Sequence, residues 1–225
     1  MSDILTFRGI GLLLSYSLIS AIFYQFVGIS TELLIRRYSF SLIEAKNLLT
    51  IFSMETAITM PIFGLIFNYY RGRVIWGLVG SVLCVLGFVF FLVLGSKCGV
   101  WIHIPLFLIS QYASIAFIVI SSMMSLGVPS RSVGVLFGFA SVVDSTIATL
   151  QTVIIGETLK HQNFGEFQTV LKFFLGMSAS YLAINIALLI LDLNNGGLLM
   201  MLESDARVQQ LRDKLAYDSE SRVRR

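Results

Sequence analysis

The chain has 225 residues, of which 56% are hydrophobic and only 13% charged, with a net charge of +3 and a mean hydropathy of +0.84. A soluble domain carries about 25% charged residues, so this chain lacks the charge to clothe a water-facing surface, and no nucleic-acid partner is expected. The apolar residues fall in runs of helix length, and a backbone in lipid must satisfy its own hydrogen bonds, which admits helices or a closed barrel. The runs are too long and too evenly apolar for barrel strands, which predicts an all-α membrane protein.

Six runs approach the roughly 20 residues that a helix needs to cross the hydrocarbon core. They cover about 9–31, 48–67, 74–95, 101–128, 133–156 and 170–191, forming one domain over 1–195 with a tail over 196–225. The first run is too long for a signal-peptide core and has no small-residue cleavage site after it, so it is expected to be retained. On it, Ser17, Ser20, Tyr24, Gly28 and Thr31 share a face, with Gln25 beside them. The second run holds Glu55. The third offers chiefly Gly77, Gly80, Cys84 and Gly87, a packing seam without chemistry. The fourth carries Ser110, Ser114, Ser121 and Ser125, flanked by Gln111. The fifth carries Gly134, Gly138, Ser141, Asp144, Ala148 and Gln151 at three- and four-residue intervals. Small residues at such spacing pack helices together; they can equally line a solute path.

Glu55 and Asp144 lie well inside their runs. A charge at bilayer depth costs at least about 2.5–3.5 kcal/mol, so it faces a cavity or finds a partner. Each acid reads either as a proton-coupling or substrate-amine site, or as a carboxyl bonded to Ser or Thr between packed helices. Enzyme chemistry finds no support: His103 and His161 are isolated, and no zinc motif, protease Gly-x-Ser-Gly turn or phosphate-cradling loop occurs. Cys84 within a span and Cys98 in a loop argue against a disulfide framework. No metal or cofactor is implied.

Alternation of the six runs splits the 16 Lys and Arg ten to six, with the larger share on the side of both termini. The positive-inside rule then places both termini in the cytoplasm. In the tail, Leu198, Met201, Leu202, Val208, Leu211 and Leu215 share a helical face, which predicts either a basic amphipathic helix at the headgroups or a solvated tail.

The second run ends in Gly64-Leu65-Ile66-Phe67-Asn68-Tyr69-Tyr70-Arg71-Gly72-Arg73, which leads into the third. This stretch resembles the Gly-x-x-x-Asp-x-x-Gly-Arg signature of the major facilitator superfamily, a loop at the cytoplasmic gate. Asn68 replaces the usual Asp, and one extra residue precedes Gly72; Asn cannot make the charge pair that latches the gate in that family. After the fourth run, Val128-Pro129 followed by Gly134-Val135-Leu136-Phe137-Gly138-Phe139 is similar to the opening of the eleventh helix in the lysosomal dipeptide transporter group. Phe23-Tyr24 and Gly196-Gly197 resemble that group's seventh helix and C-terminal junction. The resemblance implies the C-terminal six-helix half of such a transporter, built as a 3+3 inverted repeat.

It further implies transport of a small solute, dipeptide or amino-acid-like, by alternating access in a lysosomal or vacuolar membrane. The path would be lined by Tyr24, Gln25, Gln111, Ser114, Ser121, Asp144 and Glu55. The first and fourth helices would line the cavity, the third and sixth would brace the outside, and a second six-helix half would cover the groove: a preceding segment, another chain, or a second copy. Ser121 and Ser122 stand where the group carries bulky or ring residues, a departure bearing on the dipeptide substrate. The rival reading is a non-transporting membrane subunit or scaffold.

Overall fold

The computed structural model describes residues 7–69, 72–95, 99–127, 133–159 and 164–194. These form α1 (Phe7–Tyr38), α2 (Leu42–Tyr69), α3 (Arg73–Val93), a 3-10 turn (Gly99–Ile102), α4 (His103–Gly127), α5 (Val133–Thr158) and α6 (Phe164–Asn194). Six of these helices are long and apolar enough to cross a membrane, and no strand occurs among the described residues. Tyr70, Arg71, the passage 128–132, His161 and the tail at 196–225 lie outside the described residues.

α1, α2, α5 and α6 outgrow their apolar runs, because helix continues where hydrocarbon ends, whereas α3 and α4 stay close to theirs. Arg36 and Arg37 extend α1 by closing its last turn, where cations suit the negative end of the helix dipole. Ser39 then adopts φ 59° and reverses the chain. A capping box starts α2: Ser41 N–H and Oγ both donate to Glu44 Oε2 at 2.8 Å, and Glu44 N–H returns to Ser41 Oγ at 3.3 Å. Proline falls where it is cheap in α4, since Pro105 sits in the first turn. At the head of α3, Gly72 takes φ 93°, the left-handed region that favours glycine.

α4 is the centre of the bundle: 67% of its most apolar stretch is buried, against 11% in each of α2 and α5. It packs on α3, α2 and α1, while α1 also packs on α5 and α6, and α3 on α6. α6 carries more buried polar side chains than the bland reading of its run expects. α3 and α6 pack on each other and on α4 and α1, the peripheral helices are α2 and α5, and α6 buries Tyr181, Asn185 and Asp192.

Glycines set the close approaches. A Cβ on Gly87 would lie 2.7 Å from Ile109 Cγ1, one on Gly77 would lie 2.9 Å from Asn185 Oδ1, and one on Gly11 would lie 2.8 Å from Leu188 Cδ2. Between these contacts Phe26 meets Phe52, Phe88, Phe91 and Phe174 with ring centroids 5.5 to 6.3 Å apart, so α1, α2, α3 and α6 share one aromatic knot. The end of α3 is capped by α1. Arg37 Nη2 donates to Leu92 O at 3.4 Å and the Tyr38 hydroxyl donates to Phe91 O, supplying donors to carbonyls that lack a helical partner.

Candidate functional site

Two polar seams run through the bundle. In the first, between α1 and α5, Ser20 Oγ donates to Asp144 Oδ2 at 2.9 Å. One turn further along α1, Gln25 Nε2 donates to Ala148 O and to Thr152 Oγ1, both at 3.0 Å. Asp144 Oδ1 is buried without a hydrogen-bond partner. In the second seam, between α2 and α4, the hydroxyls of Thr56 and Ser110 lie 3.0 Å apart and those of Thr59 and Ser114 lie 2.7 Å apart. Ser114 also donates to Thr56 O at 3.3 Å.

The stripes read from the sequence divide into covered and open parts. Ser17, Ser20, Ser110, Ser114, Gln111 and Gln151 are buried, whereas Tyr24 is 61% exposed, and Gly28, Ser121, Ser125, Gly138 and Ser141 are exposed too. Tyr24 lies at the border, its ring 5.4 Å from Phe23 and 6.1 Å from Phe117. Gln111 Nε2 is buried without a partner. Ser121 donates to Phe117 O at 2.7 Å and so satisfies itself within α4. The exposed hydroxyls of Ser141, Ser145, Thr149 and Thr152 likewise return to carbonyls one turn back in α5, which lets a hydroxyl-rich face meet lipid or another helix at small cost.

Ser20, Gln25 and Asp144 are thus brought together in one seam and Ser114 in the other. Glu55 is half-buried on α2 beside Thr56. Among the gate-motif residues, Gly64 is half-buried facing Ile118, Asn68 lies in the last turn of α2, and Arg73 is buried at the start of α3. Arg71 is outside the described residues. The sequence reading missed Thr56 and Thr59, although their i, i+3 spacing marks a shared face, and it missed Asp192, which α6 buries one residue beyond the expected end of the run. A shallow open depression lined by Lys46, Leu49, Thr50, Ser53, Met54 and Ala57 lies along α2, away from both seams. Among the described residues no three His, Cys, Asp or Glu side chains cluster as a metal site.

No protein-family model matches the chain, and no curated protein matches it.

Proposed function

We propose that the chain is one six-helix half of a major facilitator superfamily transporter, carrying a small solute by alternating access along α1 and α4. The observation that supports this most is that the principal helix pairings keep their form when α1–α3 and α4–α6 are exchanged. α1 packs on α5 as α4 packs on α2, α1 packs on α6 as α4 packs on α3, and α1 meets α4 while α3 meets α6. The correspondence extends to residues. Phe23 of α1 faces Phe117 of α4 at 5.6 Å, and the serines three positions before each ring, Ser20 and Ser114, bond outward to Asp144 of α5 and Thr59 of α2. Two three-helix inverted repeats would produce this pattern, and such repeats place the solute site near mid-membrane at their interface.

On this reading a second six-helix half covers the little-buried α2 and α5. The chain spans a lysosomal or vacuolar membrane with both termini in the cytoplasm, as the positive-inside rule expects. In a background with Cys84 and Cys98 replaced by serine, a cysteine at the 73%-exposed Ile43 should react with an impermeant reagent only from the lumenal face. A cysteine at the exposed Gly134 should react only from the cytoplasmic face. Reaction of both from one face would overturn the topology.

The scaffold reading keeps one specific support: the seam serines Ser17, Ser20, Ser110 and Ser114 are buried between packed helices. Reconstitution separates the two. Purified protein of measured particle mass should give saturable solute flux in liposomes only where the particle holds two six-helix halves. A transporting six-helix monomer would sink the half-transporter reading, and no flux from the paired particle would leave the scaffold.

A further inference from the structure

We infer that the α1–α5 seam holds a binding site for a protonated amine carried on an aromatic or apolar body, with Asp144 as the anionic anchor; this rests on the transport reading above. Only one of the two Asp144 oxygens is occupied: Oδ2 accepts from Ser20, and Oδ1 is buried without a partner. A buried carboxylate oxygen lacking a donor costs free energy that a ligand can recover by bringing one, and an ammonium brings three donors and a full opposite charge.

The surroundings fit a cation and not an anion. On α1, Tyr16, Ser20 and Tyr24 recur every fourth residue and so share a face. Tyr16 stands edge-on to Phe137 of α5 with centroids 6.2 Å apart. Tyr24, with Phe117 of α4 beside it, is open. Aromatic faces attract ammonium groups, and their bodies suit an apolar solute. Neither α4 nor α5 contains a Lys or Arg. Those of α1 sit at its ends, Arg8 and Arg36 being twelve residues before and sixteen after Ser20, or about 18 and 24 Å along the axis. Nothing in the seam therefore competes for Asp144, and nothing there neutralises a solute carboxylate. The matching seam confirms how local the charge is, since Thr59 and Ser114 put two neutral hydroxyls where Asp144 and Ser20 stand. A simple amine is favoured at this half over an amino acid or dipeptide, whose carboxylate would need a cation from elsewhere.

Tyramine tests this against 3-(4-hydroxyphenyl)propionate, which has the same ring with a carboxylate in place of the amine. Equilibrium binding to the full chain in lipid nanodiscs should be saturable for tyramine and absent for the propionate. Asp144→Asn should weaken tyramine binding at least about tenfold, as expected for loss of a charged hydrogen bond, with its unfolding temperature unchanged. Asp144→Glu, keeping the charge, should retain binding within a few-fold. Equal binding to wild type and Asp144→Asn, equal binding of both probes, or no saturable tyramine binding to the wild type overturns the site. Flux of a neutral solute that ignores Asp144→Asn would leave transport standing without the amine site. Tyramine held by Asp144 but never carried across liposomes would leave the site standing without transport.

Discussion

Phe26→Ala is expected to be the most damaging single truncation in the bundle, lowering stability by about 2 kcal/mol. A buried Phe→Ala change in a soluble protein costs roughly 3–5 kcal/mol, combining lost transfer from water with the cavity left behind. In a bilayer most of the transfer part, roughly 1.5–3 kcal/mol, drops out, because lipid tails are as apolar as the core and helix association rests on packing. What remains is the cavity, and at Phe26 it is large. The ring is fully buried and touches Phe52, Phe88, Phe91 and Phe174 on three other helices. The control is Phe139→Ala on α5, where the ring is 44% exposed and the change should stay within about 0.5 kcal/mol. Denaturant titration in mixed micelles measures both, and equal costs would show that the aromatic knot does not hold the bundle together.

Phe26 also shows where sequence reasoning stops. Hydropathy finds the six helices because each run answers one question, whether water or hydrocarbon surrounds it. It cannot say which of 18 phenylalanines meets three other helices and which meets lipid, since both environments are apolar. The helix ends were shortened for the opposite reason. Arg36, Arg37, Lys46 and Asn47 lower the hydropathy where α1 and α2 continue past the apolar stretch. The Ser41-x-x-Glu44 capping box was available as a start signal for α2 and outweighs hydropathy at that point.

Polar spacing was readable as faces but not as neighbours. On α1 the same stripe holds Ser20, covered by α5, and Tyr24, open to the surroundings. Nothing in the three- and four-residue interval distinguishes them, because the difference lies in where a second helix crosses. The hydroxyls of Thr56 and Thr59 escaped notice for a related reason: a threonine that bonds one turn back, as both do to Phe52 O and Glu55 O, is as much at home in an ordinary membrane helix as in a seam. The glycine spacing of the α3 seam marks close approach, with Gly77, Gly80 and Gly87 meeting Asn185, Ile115 and Ile109, whereas the same spacing at Gly134 and Gly138 of α5 meets nothing within 4 Å.

That seam supplies the second large effect. Gly87→Ala should destabilise the protein by about 1–3 kcal/mol, the usual cost of overpacking, although alanine is the better helix former by about 1 kcal/mol. The new Cβ would lie 2.7 Å from Ile109 Cγ1, with Pro105 O at 3.5 Å behind it. Ile109 is fully buried in α4, the most enclosed helix, and cannot swing aside into open space. The same substitution at Gly138 of α5, where nothing lies within 4 Å, lacks the clash and should be neutral or slightly stabilising. If the clash is the cause, Ile109→Ala removes the opposing atoms, and the Gly87→Ala/Ile109→Ala double variant should lose less than the two single costs added together. Strict additivity, or a Gly87→Ala protein as stable as Gly138→Ala, would mean that α3 and α4 do not approach as closely as this geometry requires.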